Sequence, residues 1–335
     1  MSQLLTEEVR EALGSTVTYT APEPLSRASI RYFALAIGAD AARWRDEAPP
    51  TLICETAQLT GRAVPDRNSY LGHVWELPLP VQCAMFRGGN DYRFDRPARF
   101  DDVIDTTWTL TDATERRDRD GDPLLVVTAE AAYSVGGDRL ATNAETMIFR
   151  PLGAAQPDRD APPEEAGAEA AHEPAADTAP ATPQLDDDAP DAAGTPDTPE
   201  PLPRAGLRPG RPLRPLRRRI ALADMVAYGA ATWDWHRLHY DEAHARRLGA
   251  PAPVVDGQML GALLAECVVR DAGAGARLVR LAYRNRAPVY AGETVVCSGT
   301  IATSDDAGFS VDLSVSVGDR VVVAPAFAQL AWTSG

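Results

Sequence analysis

One stretch near the middle of the chain decides how it can fold. Between Gln156 and Pro215 the sequence is dominated by Ala, Pro, Asp, Glu and Thr, and 14 of the chain's 28 prolines fall there. From Gln156 to Glu200 there are 13 acidic residues against one arginine; from Pro201 to Ile220 there are seven arginines and no acid. A segment of this composition buries too little apolar surface to offset its chain entropy, so residues 153–214 are expected to be a disordered tether. The simplest role for its charge blocks is solvation, although they can also attract each other or a partner. The 335 residues then divide into two folded parts, 1–152 and 215–335.

Composition narrows the function. The formal net charge of −15 argues against a nucleic-acid partner, which calls for a basic face. All 33 basic residues are arginine, which removes Schiff-base chemistry on a lysine amine and a phosphate loop ending in Gly-Lys-Ser/Thr. No apolar run reaches about 18 residues, so no membrane helix is expected. The start, Met1 to Glu8, lacks a basic region followed by an apolar core, which makes the cytoplasm the expected location. Cys54, Cys83, Cys267 and Cys297 form no close pair, so buried reduced thiols are expected and no metal site.

The two flanking parts look alike. Ser26 to Gly38 carries apolar residues at 30, 33, 34 and 37, the spacing of a helix that ends at glycine. Ala223 to Ala231 repeats the pattern before Thr232-Trp233-Asp234. A longer apolar helix is expected from Pro50-Thr51-Leu52 in the first part and from Asp256-Gly257-Gln258 in the second. Arg96 to Val103 leads into strand-like Ile104 to Thr111, as Arg286 to Val295 leads into Val296 to Thr303. Alternating runs around Gly136-Gly137-Asp138 and Gly318-Asp319 read as long antiparallel hairpins. The chain is expected to be a duplicated α+β fold, each copy a helix packed on an antiparallel sheet.

The chemistry concentrates between Tyr228 and Met259. His236, His239 and His244 lie close together among Asp234, Asp241 and Glu242. A carboxylate and an imidazole at one end of a loop can share proton transfers with a substrate carbon and water. The helix beginning after Asp256 offers free backbone N–H groups and a favourable dipole end, and Gly257 lets an oxygen approach the backbone. Structural readings stand beside these. Asp256 can serve simply as the helix N-cap, and Asp234 with His239 can be a structural pair. His236 and His244 suit the surface or a supporting position, and Asp241 with Glu242 suit the first turn of a helix from Tyr240 to Leu248.

Tyr228 through Ala245 resembles the signature of MaoC-type, or hydratase-2, enoyl thioester hydratases and dehydratases. A Ser/Thr-x-Asp segment is followed five residues later by histidine and six later still by alanine, here Thr232, Asp234, His239 and Ala245. The family's later Val-His-Gly-Met run resembles Val255-Asp256-Gly257-Gln258-Met259. The first part, including Ala48 to Thr51 and Arg96 to Val103, resembles the fatty-acid-synthase-like dehydratase domain often paired with it. The resemblance implies a double hotdog, each unit a curved antiparallel sheet around one long helix. It also implies reversible syn hydration of a trans-2-enoyl thioester, carried by coenzyme A or an acyl carrier, to an (R)-3-hydroxyacyl thioester. Asp234 and His239 would then be catalytic, and Gly257 would hold the thioester oxygen, with no metal or redox cofactor required.

The sequence departs from that signature in places. Trp233 replaces the glycine before the catalytic Asp, His236-Arg237 replace the Asn-Pro after it, and Asp256 replaces a histidine. Thr232, Trp233, Trp235 and Asp256 are therefore expected to shape the acyl site beside Gly257, the two tryptophans by narrowing it. Gly38 to Arg45 holds no histidine, so the first part is expected to be catalytically silent and to shape the acyl tunnel. A hotdog thioesterase and a non-catalytic acyl-thioester-binding subunit are the alternatives. Exposed sheet edges leave room for a homodimer.

Overall fold

The computed structural model describes residues 3–55, 77–118, 120–152 and 200–333. The first half contains α1 (Glu7–Glu11), β1 (Thr16–Thr20), α2 (Arg27–Ala36), α3 (Leu52–Glu55), β2 (Cys83–Phe94), β3 (Asp105–Arg117), β4 (Pro123–Val135) and β5 (Asp138–Pro151). The second contains β6 (Leu216–Arg219), α4 (Leu222–Thr232), α5 (Glu242–Arg247), α6 (Gly257–Ala272), β7 (Ala276–Asn285), β8 (Thr294–Ser304), β9 (Gly308–Val317) and β10 (Arg320–Trp332). Each half contributes a five-stranded antiparallel sheet, and the two join into one ten-stranded sheet ordered β1-β3-β4-β5-β2-β7-β10-β9-β8-β6. This is a double hotdog.

The local signals explain most elements. Ser26 caps α2 by accepting the Ser29 N–H at 3.0 Å, and Gly38 follows the helix with φ +70°, a left-handed conformation that glycine adopts without penalty. The hairpins close at Gly136-Gly137 and at Gly318, all with positive φ. Nearly every side chain of α6 is buried, because this helix is wrapped by its own sheet and also reaches β2. Met259, Leu260, Leu263, Leu264 and Val268 each gain about 1.5–3 kcal/mol from leaving water. Of the longer helix expected from Pro50-Thr51-Leu52, Leu52–Glu55 is α3, and residues 56–76 lie outside the described residues.

The seam between the halves is β2 against β7, with Tyr92 opposite Leu281 and Asn90 opposite Tyr283. The Tyr283 hydroxyl donates to Asn90 Oδ1 at 3.1 Å, and Arg280 grips Asp91 through two bonds of 2.9 and 2.7 Å. Gly89 is required here, because a Cβ would sit 2.2 Å from the Tyr283 carbonyl oxygen. A bulge between Arg87 and Gly89 bends the strand at that point.

The internal repeat can be traced bond by bond. Leu25 donates to the Asp102 carbonyl as Ile220 donates to that of Glu293; Asp101 donates back to Leu25 as Gly292 does to Ile220. Asp101 and Gly292 both have positive φ, 69° and 90°. The residue after each short helix is left-handed, Gly38 at 70° and Trp233 at 60°, and the next N–H bonds back five residues, Ala39 to Ala34 and Asp234 to Gly229. Further on, Ala48 donates to Ala98 as Val255 does to Val289, both at 2.8 Å. Ala39 thus matches Asp234, and Pro49 and Pro50 match Asp256 and Gly257. Only the second half inserts α5 in between.

The tether is shorter than its proline content suggests. Residues 153–199, where disorder is expected, lie outside the described residues. Residues 200–214 pack on the second half instead. Leu207 and Leu213 are buried, Gly210 and Leu213 donate to the Ile301 and Gly299 carbonyls, and Arg214 binds Asp271 through its backbone N–H and guanidinium at 2.8 and 3.0 Å. Two leucines and a buried acid anchor a segment whose average composition reads as unfolded. All four cysteines are free and buried. Among the described residues, no helix is long and apolar enough to cross a membrane.

Candidate active site

The short helix α4 ends in a left-handed turn at Trp233, and the chain folds back so that the Asp234 N–H reaches the Gly229 carbonyl at 3.0 Å. Gly229 permits this, since a Cβ there would lie 2.8 Å from the Asp234 carbonyl oxygen. Asp234 Oδ1 accepts the His236 N–H at 2.9 Å, which orients the carboxylate. His239 follows in a single 3-10 turn, Arg237–His239. Its Nδ1 lies 2.7 Å from the Val254 carbonyl oxygen. A carbonyl only accepts, so Nδ1 carries the proton and Nε2 is left as the basic nitrogen.

From the other side comes the start of α6. Asp256 is its N-cap, accepting the Gln258 N–H through Oδ1 at 2.9 Å, while Oδ2 is buried with no hydrogen-bond partner among the described residues. The capping role and a place in the site are therefore both present in one residue. Asp234, His239 and Asp256 bring side-chain ligand atoms within 4.8 Å of one another. These three are the donors that a cation would use; equally, the two neighbouring carboxylates can share a proton. Burial pushes the Asp256 carboxyl above the ordinary range; the His239 ring pulls it back and the Asp234 carboxylate adds to the rise.

Asp234, His239, Asp256 and Gly257 all line one cavity of about 530 Å³. Its far wall comes from the first half: Met85, Trp108, Tyr133 and Met147 supply an apolar surface. Polar residues outside the sequence expectations also line it, among them Arg87, Glu145 and Asn285. Arg87 pairs with Glu145 at 2.5 Å, both nearly buried, and Asn285 donates to the Arg87 carbonyl at 3.1 Å. Nothing in the local sequence marks Arg87 or Asn285, because the partners that bury them arrive from distant strands. Glu145 in an otherwise inward-facing position of β5 is the one local hint.

Three expected site residues fall elsewhere. Thr232 is fully buried, and its hydroxyl donates to the Tyr228 carbonyl one turn back at 2.8 Å, so it finishes α4 instead of facing the cavity. Trp233 and Trp235 do not line the cavity either. Their rings meet edge to face at 5.6 Å, and Trp233 is 40% exposed, because the left-handed turn swings it outward. They do not narrow this cavity. His236 and His244 are buried, not superficial; the His236 ring stands between His239 at 5.6 Å and His244 at 6.1 Å. Asp241 caps α5 by accepting the His244 N–H at 2.9 Å and pairs with Arg237, and these two contacts hold its carboxyl below the usual range. The arginines between 204 and 219 are partly spent within the fold, Arg214 on Asp271 and Arg218 on Asp224.

Residues 204–321 match the family model described as MaoC like domain. No curated protein sequence matches the chain. Among solved structures, a MaoC-like dehydratase superposes with a TM-score of 0.66 at 18% identity, covering 97% of this chain and all of that one. A MaoC-like dehydratase from Phytophthora capsici gives 0.62 at 14% identity, covering 97% and 98%. A conserved hypothetical protein from Mycobacterium tuberculosis, described as having a double hotdog fold, gives 0.57 at 18% identity, covering 96% of each chain. At such identities the likeness is one of fold. The chain is a double hotdog whose residues 204–321, the stretch holding Asp234, His239, Asp256 and Gly257, are similar to the MaoC like domain.

Proposed function

We propose that this chain is a hydro-lyase that adds water reversibly across the 2,3 double bond of an enoyl thioester, giving a 3-hydroxyacyl thioester. The observation that carries the reading is the convergence of an acid, a base with a defined free nitrogen, and a helix N-terminus in one cavity that also has an apolar wall. The match of this half to a domain found in dehydratases supports it.

In the hydration direction, His239 Nε2 and the Asp234 carboxylate hold the water. One takes a proton from it as its oxygen bonds to C3, and that same proton is passed through the pair to C2, so both groups return to their starting state. Negative charge moves onto the thioester oxygen meanwhile. The Gly257 N–H at the first turn of α6 donates to that oxygen, and Asp256, whose buried Oδ2 has no hydrogen-bond partner among the described residues, stands beside it at the helix start. Delivery of the hydroxyl to C3 and the proton to C2 from one face gives syn addition, and the (R) product is the one the family resemblance implies. The acyl chain runs along Met85, Trp108, Tyr133 and Met147, so the first half shapes the tunnel without taking part in the proton transfers. Coenzyme A or an acyl carrier completes the substrate, and the chemistry requires no metal or redox cofactor.

The test mixes purified protein with trans-2-enoyl-CoA substrates of increasing length while following the conjugated enoyl-thioester absorbance and free thiol together, with and without EDTA. Loss of the enoyl band without thiol, unaffected by EDTA, is the expected result. Thiol release would transfer the assignment to a thioesterase, and loss of activity in EDTA would make the three-donor cluster a cation site.

A further inference from the structure

The internal repeat that places the active site also places a second cavity. It measures about 420 Å³ and is bounded by the end of β2, the start of β7 and the loop before α3. The catalytic cavity is bounded by the start of β2, the end of β7 and the loop before α6. The two cavities are mates, exchanged when the halves are exchanged. Residue equivalence shows what the second one lost. Ala39 stands in the place of Asp234, and no histidine lies between Gly38 and Pro50. Pro49 replaces Asp256, and Pro50, which has no N–H, replaces Gly257.

At the places of Asp234, Asp256 and Gly257 the carboxylates and the helix N–H are gone, yet the cavity persists. Its walls are apolar and aromatic, from Trp44, Ile53, Phe94 and Leu278, and its charged lining includes Arg45, Arg96 and Arg277. Asp46 and Glu47 also line it but pair with Arg27 at 2.8 Å and Arg99 at 3.0 Å, while Arg96 lies 3.6 Å from Asp102 and Arg277 donates to the Phe94 carbonyl at 3.0 Å. Arg45 is exposed and makes no ion pair among the described residues. An apolar slot rimmed by guanidinium groups suits an amphipathic anion with phosphates at one end and an acyl chain at the other.

We propose that this mate cavity is a second, non-hydrating binding site for an acyl thioester of coenzyme A, with Arg45, Arg96 and Arg277 meeting the phosphates. It rests on the acyl-thioester reading of the catalytic cavity and extends it, because one chain then binds two ligands and turns over one. Isothermal titration of the full chain with hexanoyl-CoA, a saturated thioester that cannot be hydrated, tests it. Two ligands per chain are expected. Ala274→Trp, at an exposed position on the cavity lining, and Arg45→Glu should each reduce the count to one while leaving the hydration rate unchanged. One ligand per wild-type chain, or two that survive both substitutions, overturns the second site and leaves the catalytic reading intact. No binding at all overturns both.

Discussion

Gly257→Ala offers the most direct probe of how the site is built. Gly257 is the first residue of α6, and its backbone is not in the left-handed region, so the substitution acts through space alone. A Cβ there would lie 2.4 Å from Asn285 Nδ2 and 3.5 Å from the Arg87 Cβ. The Asn285 amide must move, and its bond to the Arg87 carbonyl, now 3.1 Å, is lost. Overpacking of this kind costs about 1–3 kcal/mol and the lost bond about 1 kcal/mol. Reduced unfolded-state freedom returns about 0.4–1 kcal/mol. The net is about 2 kcal/mol, which lowers the melting temperature by about 3 °C in a chain of this size. Turnover falls further, because the added methyl occupies the approach to the Gly257 N–H; loss of one such donor costs about 10²–10³-fold in kcat. Thermal melts and the enoyl-absorbance assay read the two effects separately. Adding Asn285→Ala should restore most of the stability and little of the rate. A Gly257→Ala protein that melts like wild type and hydrates at its rate would refute both the contact geometry and the role given to this N–H.

Asp234→Asn and His239→Ala should each slow hydration about 10²–10⁴-fold with unchanged circular dichroism, and an unaltered rate in either removes it from the proton-transfer scheme. Arg87→Met strands the buried Glu145 carboxylate and should cost about 3–5 kcal/mol by urea unfolding, whereas Arg87→Met with Glu145→Met together should cost much less. Glu266, inside α6, has its carboxyl pushed by burial from 4.5 up to about 7. Between those values the folded chain holds a proton that the unfolded chain releases, so stability is highest below the window and falls as pH rises through it, by on the order of 2–3 kcal/mol. Glu266→Gln should flatten that slope, and a pH dependence identical to wild type would show that this carboxyl does not titrate there.

Much of the fold was legible because it depends on neighbours within a turn or two. Ser26 and Gly38 bracket α2, Asp241 caps α5, and the glycine turns at 136–137 and 318 close the hairpins that their alternating flanks announce. Asp234 and His239 are legible for the same reason: five positions of one loop separate them, and a single 3-10 turn brings them together. Thr232, Trp233 and Trp235 sit in the same run yet face elsewhere, because a positive φ at Trp233 reverses the direction in which side chains leave the backbone. The structured arginine segment at 200–214 was hidden by its composition; two leucines and a partner at Asp271 outweigh its prolines.

The sequence by itself determined the repeat, the helices and hairpins of each half, and the pairing of an acid with an imidazole before a helix N-terminus. Those are properties of local spacing, and spacing is written in the chain. Only the tertiary structure decided that β2 would join β7 and make one sheet of two. That joint carries Arg87 and Glu145 of the first half into the cavity of the second, beside Asn285, and leaves its mirror, with Trp44 and Pro50, open on the other side. The physical reason is that a strand edge offers the same row of N–H and C=O groups whatever its partner. The choice is made by close approach at Gly89 and by the side chains that meet across the seam, from positions about 190 residues apart.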